Sequence, residues 1–203
     1  VTTFLLIRHA MCDHVGRVIA GRSADIHLND TGRTQAARLA ELLDPVPLNA
    51  VASSPLPRAL ETATPLTSRR DIPLDVLESL AEIDYGAWTG RSIESLEPEA
   101  RWKRYNGLRS MARVPGGELM LEVQARAVTA LELLRERFPL GRCAVVTHGD
   151  VIRCLIAHCA GIPLDLFQRL EIAPASVSVV SVDESWIGVR SVNLTLDGWA
   201  GLG

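Results

Sequence analysis

The stretch Phe4-Leu5-Leu6-Ile7-Arg8-His9-Ala10 runs four apolar residues directly into an arginine and a histidine. A run this short suits a buried strand better than a helix. In an open α/β sheet, ligands gather in the crevice outside the carboxyl ends of the strands. Arg8 and His9 are therefore expected at a place where chemistry is done. Two adjacent cationic or nucleophilic groups suggest an anion, with phosphate the first candidate. Taken alone, the pair fits equally a strand that happens to end in Arg-His.

The 203 residues carry 47% hydrophobic side chains, enough for a full-sized core in one domain spanning 1–203. A net charge of −3 argues against a general nucleic-acid binder. No run approaches the ~20 apolar residues that span a bilayer, and the start lacks the basic and apolar segments of a signal peptide. The absent initiator Met suggests trimming or an expression boundary. A soluble, cytoplasmic protein without a membrane partner is expected. Cys12, Cys143, Cys154 and Cys159 contain no CxxC pair, which disfavours a zinc or redox motif. Buried free thiols are expected. All of the 21 basic residues except Lys103 are Arg, a bias better ascribed to base composition than to function.

Working outward from the first strand, Met11 to Asn29 reads as a turn-rich loop. Asp30-Thr31-Gly32 then opens a helix with Asp30 or Thr31 as N-cap, burying Ala36, Ala37, Leu39, Ala40, Leu42 and Leu43. Asn49 to Ala52 is a second short strand. Ser53-Ser54-Pro55 signals a helix start, which places Arg58 in a positive N-terminal turn. Pro73 to Leu77 reads as an edge strand, Glu82 to Gly90 as loop, and Arg91 to Asn106 as short helical pieces. The longest helix is expected over 118–138. Arg142 to Thr147 is a second buried strand, ending in His148-Gly149-Asp150 and passing into the helix 151–160. Residues 176–193 read as a hairpin turning at Asp183-Glu184-Ser185, whose exposed edge offers a surface for a homodimer. Alternating strands and helices predict an α/β sandwich closed at one edge by that hairpin. The Gly-rich tail 194–203 is expected to be flexible.

Three strand-to-helix junctions thus carry groups of one kind: Arg8-His9, Arg58 and His148. Two guanidiniums and two imidazoles at one rim suit a dianionic phosphoryl group, whose oxygens an arginine fork binds in pairs.

The chain at this point resembles the histidine phosphatase superfamily, the phosphoglycerate mutase-like family, over residues 4 to about 180. The resemblance rests on six stretches in order: Leu5 to Ala10, Leu28 to Ala36, Ser53 to Ala63, Leu80 to Gly90, Pro115 to Glu118, and Val145 to Arg153. It implies a three-layer α/β/α sandwich around a mostly parallel sheet. It implies that His9 is a nucleophile forming a phosphohistidine, that Arg8, Arg58, His148 and Gly149 hold phosphoryl oxygens, and that Glu82 donates a proton to the leaving alcohol. No metal or organic cofactor is called for. A neutral imidazole is available near pH 7, covalent transfer splits one hard displacement into two, and phosphoryl transfer needs charge neutralisation and in-line positioning. A carboxyl that donates and then activates water works best with its pKa raised toward neutrality.

The compact length favours the phosphatase branch, acting on a small phosphomonoester such as a sugar phosphate or α-ribazole phosphate. The alternatives are phosphoglycerate mutase-type transfer and a catalytically weak phosphate-binding protein. The chain departs from the family at Ala10, at Met11-Cys12 and at Val15, where an Asn ligand is usual; His14 is a candidate replacement. Cys12 near the pocket raises oxidation sensitivity as a question, with an inert thiol the expected answer. Arg101, Lys103, Arg104, Arg109 and Arg113 form a basic run that reads as a carboxylate subsite, Arg104 included, or as a solvated face. Trp88, Trp102 and Tyr105 wall the entrance or pack the core. Glu118 is expected to cap the long helix. His27 and His158 read as structural.

Overall fold

A computed structural model describes residues 1–199. Strands β1 (Thr2–Arg8), β2 (Ala50–Ser53), β3 (Leu74–Val76), β4 (Arg142–Thr147), β5 (Val177–Val182) and β6 (Ile187–Leu194) form one sheet in the order β3-β2-β4-β1-β5-β6. The first four in that order are parallel to one another, while β5 pairs antiparallel with both β1 and β6. The helices are α1 (Asp30–Leu42), α2 (Pro57–Ser68), α3 (Ile93–Leu96), α4 (Ala100–Gly107), α5 (Met120–Arg137), α6 (Gly149–Ala160) and α7 (Leu196–Trp199). No helix among the described residues is long and apolar enough to cross a membrane.

Side chains alternate across a strand, and β1 shows what that alternation builds. Leu5 and Ile7 join Leu39, Ala40, Ala59 and Leu66 of α1 and α2 in one core. Phe4 and Leu6 join Val123, Ala127, Ile152 and Leu155 of α5 and α6 in the other. Both faces of the sheet are covered, which is why the strand reads as an unbroken apolar run. The result is the expected three-layer α/β/α sandwich with its antiparallel hairpin. Truncating a fully buried leucine such as Leu39 to alanine is expected to cost about 2–5 kcal/mol.

Several local expectations give way to tertiary constraints. The N-cap of α1 is Asn29, whose side chain accepts from the Gly32 N–H at 2.9 Å. Gly32 is required there because a Cβ would sit 2.0 Å from the Met11 carbonyl oxygen. The helix start thereby packs on the backbone just past His9. Ala37 is exposed and Leu42 only half-buried, so the buried stripe is narrower than the hydrophobic pattern suggests. Helix α2 begins with Pro57 at its first position and Leu56 as N-cap, two residues after the expected serine start. Ser54 is left free for another partner. Of the expected flexible tail, Leu194 ends β6 and 196–199 are helical; residues 200–203 lie outside the described residues.

Candidate active site

The carboxyl ends of β1, β2 and β4 lie side by side, and the segments at those ends bring Arg8, His9, Arg58 and His148 to the same rim. Arg8 is the last residue of β1, paired in register with Thr147 at the end of β4. His9 follows with its N–H donating to the Thr147 carbonyl at 2.9 Å, while the Ala10 N–H donates to Thr62 Oγ1 at 3.0 Å. The chain is thus pinned on both sides of the imidazole. Arg58, the second residue of α2, is buried beneath the loop after β1 and donates Nη2 to the Gly21 carbonyl at 2.7 Å. His148 is the N-cap of α6 and fully buried.

Hydrogen bonding decides the tautomer of His9. Its Nδ1 lies 2.8 Å from the Ala10 carbonyl oxygen, which can only accept, so Nδ1 carries the proton. Nε2 then holds a free lone pair. Burial, followed by the Arg58 and Arg8 charges, pushes the His9 pKa down to about 3, and the ring is neutral at pH 7. The His148 ring stands 5.2 Å from that of His9, centroid to centroid. Its Nε2 is 2.7 Å from Ser54 Oγ. The Ser54 hydroxyl accepts from the Leu56 N–H at 3.3 Å and still has a proton to give; with that proton on Nε2, His148 presents Nδ1–H as a donor. Burial, then Arg58, holds His148 well below the usual histidine range.

Arg8 donates Nη1 to the Ile172 carbonyl at 2.6 Å. Both arginines have their pKa lowered, chiefly by burial. Three buried nitrogens in this cluster have no partner: Arg8 Nε, Arg58 Nε and His148 Nδ1. Buried polar groups are nearly always paired, and two unpartnered guanidinium nitrogens beside an imidazole nitrogen call for an anionic acceptor. Gly149 lies under Arg8, where a Cβ would come within 3.3 Å of Nε.

Glu82 faces the cluster from the loop after β3. The residue is half-buried, and its Oε1 accepts from the Ile83 N–H at 3.0 Å. Burial, then the charge of Asp150, outweighs the opposing pull of Arg58, the Ile83 N–H and Arg8, and raises the carboxyl to about 7. Asp150 itself accepts from Tyr85 Oη at 2.6 Å and from Arg153 at 2.8 Å, with Arg109 at 3.4 Å.

Arg8, His9, Arg58, Glu82, Tyr85 and Cys12 line a cavity of about 120 Å³. That is room for a few waters at ~30 Å³ each, the scale of a phosphoryl group. His14 and Val15 reach its wall as well. A larger groove of about 570 Å³ along α1 and α7 brings no such set of buried donors together.

Other sequence candidates fall elsewhere. Trp88 is 2% exposed and stacks edge-on with Trp102 and Tyr105, which makes it core and not entrance wall. Arg104 is exposed beside Arg101 and Arg113, away from the cavity lining. Arg109 belongs to no solvated face; it is 3% exposed, over the Tyr105 ring at 3.9 Å and paired with Asp150. Glu118 does not cap α5. It accepts from the Asp84 N–H at 2.8 Å and pairs with Arg126 and Arg22. All four cysteines are buried and unpaired. Sequence reasoning missed Ser54 as the partner of His148, Tyr85 at the cavity wall and Arg126 behind the Glu82 loop. The Ser-Ser pair at the end of β2 was the available signal for the first.

Fold and site together define an α/β protein with a neutral histidine set among buried arginines at the strand ends. The chain belongs to the histidine phosphatase superfamily (branch 1), whose family model matches residues 4–195. It is 32% identical over 187 residues to a protein of Salmonella choleraesuis (strain SC-B67) named probable phosphoglycerate mutase GpmB, covering 90% of this chain and 86% of that one. Among solved structures, Bacillus stearothermophilus YhfR superposes with a TM-score of 0.88 at 30% identity, covering 94% of this chain and 96% of that chain. A mycobacterial glucosyl-3-phosphoglycerate phosphatase gives a TM-score of 0.82 at 26% identity, covering 94% and 98%. The alpha-ribazole phosphatase of Shigella flexneri gives 0.83 at 25% identity, covering 94% and 96%.

Proposed function

We propose that the protein is a phosphomonoester hydrolase working through a phosphohistidine at His9. The observation that carries this reading is the free Nε2 of a neutral His9 among three buried, unpartnered donor nitrogens of Arg8, Arg58 and His148. Nε2 attacks phosphorus in line, an N–P bond forms, and the P–O bond to the alcohol breaks. Glu82, protonated in a large fraction of molecules near pH 7, gives its proton to the departing oxygen. The resulting carboxylate then takes a proton from water, whose oxygen attacks phosphorus, and inorganic phosphate leaves with His9 restored. Arg8 and Arg58 keep enough N–H groups beyond their carbonyl bonds to hold the phosphoryl oxygens. A bound dianion raises the His148 pKa and favours its protonated, donating form. His14, next to Val15 at the family's Asn position, is proposed as an outer contact.

Hydrolysis is favoured over transfer to a second hydroxyl by the structural relatives that are named as phosphatases. The mutase reading has the name of the Salmonella relative in its support. A panel of phosphomonoesters, sugar phosphates and 3-phosphoglycerate among them, incubated without added metal, separates the two. Free phosphate is expected. Isomerised product without phosphate release would establish the mutase, and tight binding without turnover would establish a binding protein.

A further inference from the structure

Behind Glu82 stands a charged cluster that the chemistry above does not use. Arg126, on α5, aims its guanidinium at the backbone of the loop carrying the acid. Nη1 donates to the carbonyls of Ser79 at 2.8 Å and Ala81 at 2.7 Å, and Nη2 to the carbonyl of Glu82 at 3.2 Å. The other edge of the same fork meets the Glu118 carboxylate, Nε at 3.0 Å and Nη2 at 3.1 Å. Glu118 in turn accepts from the Asp84 N–H at 2.8 Å. From the loop after β1, Arg22 donates Nε to the Glu82 carbonyl at 2.9 Å and reaches Glu118 with Nη2 at 3.0 Å.

Carbonyls at 79, 81 and 82 and the amide at 84 are therefore fixed by one ion cluster on either side of the acid. The Arg126 and Glu118 side chains are only 18% and 20% exposed. A largely buried network of this kind is costly to desolvate, and fully satisfied it specifies a single geometry. Capping of α5 does not account for it, because the Leu119 N–H is taken by Glu122 at 2.9 Å. Nor is it ordinary loop closure, since three of the bonds from one guanidinium converge on the acid's own segment. A general acid must meet the leaving oxygen within hydrogen-bond reach, and a misplacement of about 1 Å can cost ~100-fold in rate.

We propose that Arg126 and Glu118 are positioning residues for Glu82, holding its carboxyl where it can protonate the leaving group without touching the substrate themselves. The proposal rests on the reading of Glu82 as the general acid.

Leaving-group dependence tests it. Values of kcat/KM are measured for an alkyl phosphate, whose alkoxide needs a proton, and for 4-nitrophenyl phosphate, whose phenolate leaves without one. Inhibition by inorganic phosphate is measured alongside. For Arg126→Gln, the alkyl phosphate value is expected to fall about 10- to 100-fold. The 4-nitrophenyl phosphate value is expected to change less than about three-fold, because the acid is not needed there, with phosphate inhibition unmoved. Glu118→Gln keeps the side-chain volume and gives the same readout should Arg126→Gln fail to fold. A parallel fall with both substrates, or no change with either, would overturn the proposal. Glu82→Gln serves as reference. Selective loss there without selective loss in Arg126→Gln or Glu118→Gln defeats the positioning role alone. Equal losses with both substrates in Glu82→Gln defeat the assignment of the acid, and the positioning role with it.

Discussion

Glu82 and Asp150 are two carboxyls close enough that the charge of Asp150 acts on Glu82, yet they are held in opposite states. Burial acts on both in the same direction, toward the neutral acid. Around Asp150, Arg109, then Arg153 and the Tyr85 hydroxyl, more than offset burial and keep the carboxylate ionised. Around Glu82 the partners are weaker and Asp150 itself adds to burial, so the carboxyl sits at about 7. Asp150 is thus a fixed negative charge behind a titrating one. Pairs of carboxyls driven apart by their surroundings are how acid and base roles are assigned in many enzymes.

The largest effect is expected at Glu82. Replacing Glu82 by Gln removes the transferable proton, and kcat/KM for alkyl phosphates is expected to fall 10²- to 10⁴-fold in steady-state assays. Next in size is Asp150→Asn, which strands the Arg109 and Arg153 charges and is expected to lower stability by about 3–5 kcal/mol in denaturant unfolding. The same change withdraws the charge that raises Glu82. In the parent, kcat/KM should climb as His9 loses its proton near pH 3 and decline as Glu82 ionises near pH 7, once the substrate's own ionisation is allowed for. In Asp150→Asn the alkaline limb should move to lower pH; an unmoved limb would mean that Asp150 does not tune the acid.

A smaller effect concerns stability. A carboxyl whose pKa is raised by folding contributes stability below its unfolded pKa and loses it as pH rises through the folded value. Glu82→Gln should therefore melt higher than the parent at pH 8, by an increment worth about 1–3 kcal/mol, and no higher at pH 4. Smallest of all is Glu122→Gln. This exposed carboxylate, held down to about 2 by Arg113, lies outside the site, and its loss should leave the pH–rate profile unmoved.

The fold was legible because its strands are short apolar runs with polar ends, as at Phe4 to His9 and Arg142 to His148. The cationic half of the site was legible for the same reason, since strand ends expose their last residues to one rim. Glu82 was not legible from pattern alone. It sits in a loop without periodicity, and only the family resemblance singled it out. Arg126 and Glu118 were invisible as a pair because their partners are backbone groups about 40 residues away, which no local spacing records. Arg109 looked solvated within a basic run, but long-range contact with Tyr105 and Asp150 buried it. Trp88 shows the converse: a residue on a family motif whose work is packing.

The claim at the centre is covalent, and rapid quench tests it directly. The protein is mixed with a phosphomonoester, quenched in alkali, digested, and the peptide containing Arg8-His9-Ala10 is weighed by mass spectrometry. A phosphoryl group on His9, stable in alkali, lost in acid and absent from His9→Ala, is the expected result. Turnover with no phosphopeptide at any quench time, or the phosphoryl group on His148 or His14, would contradict it.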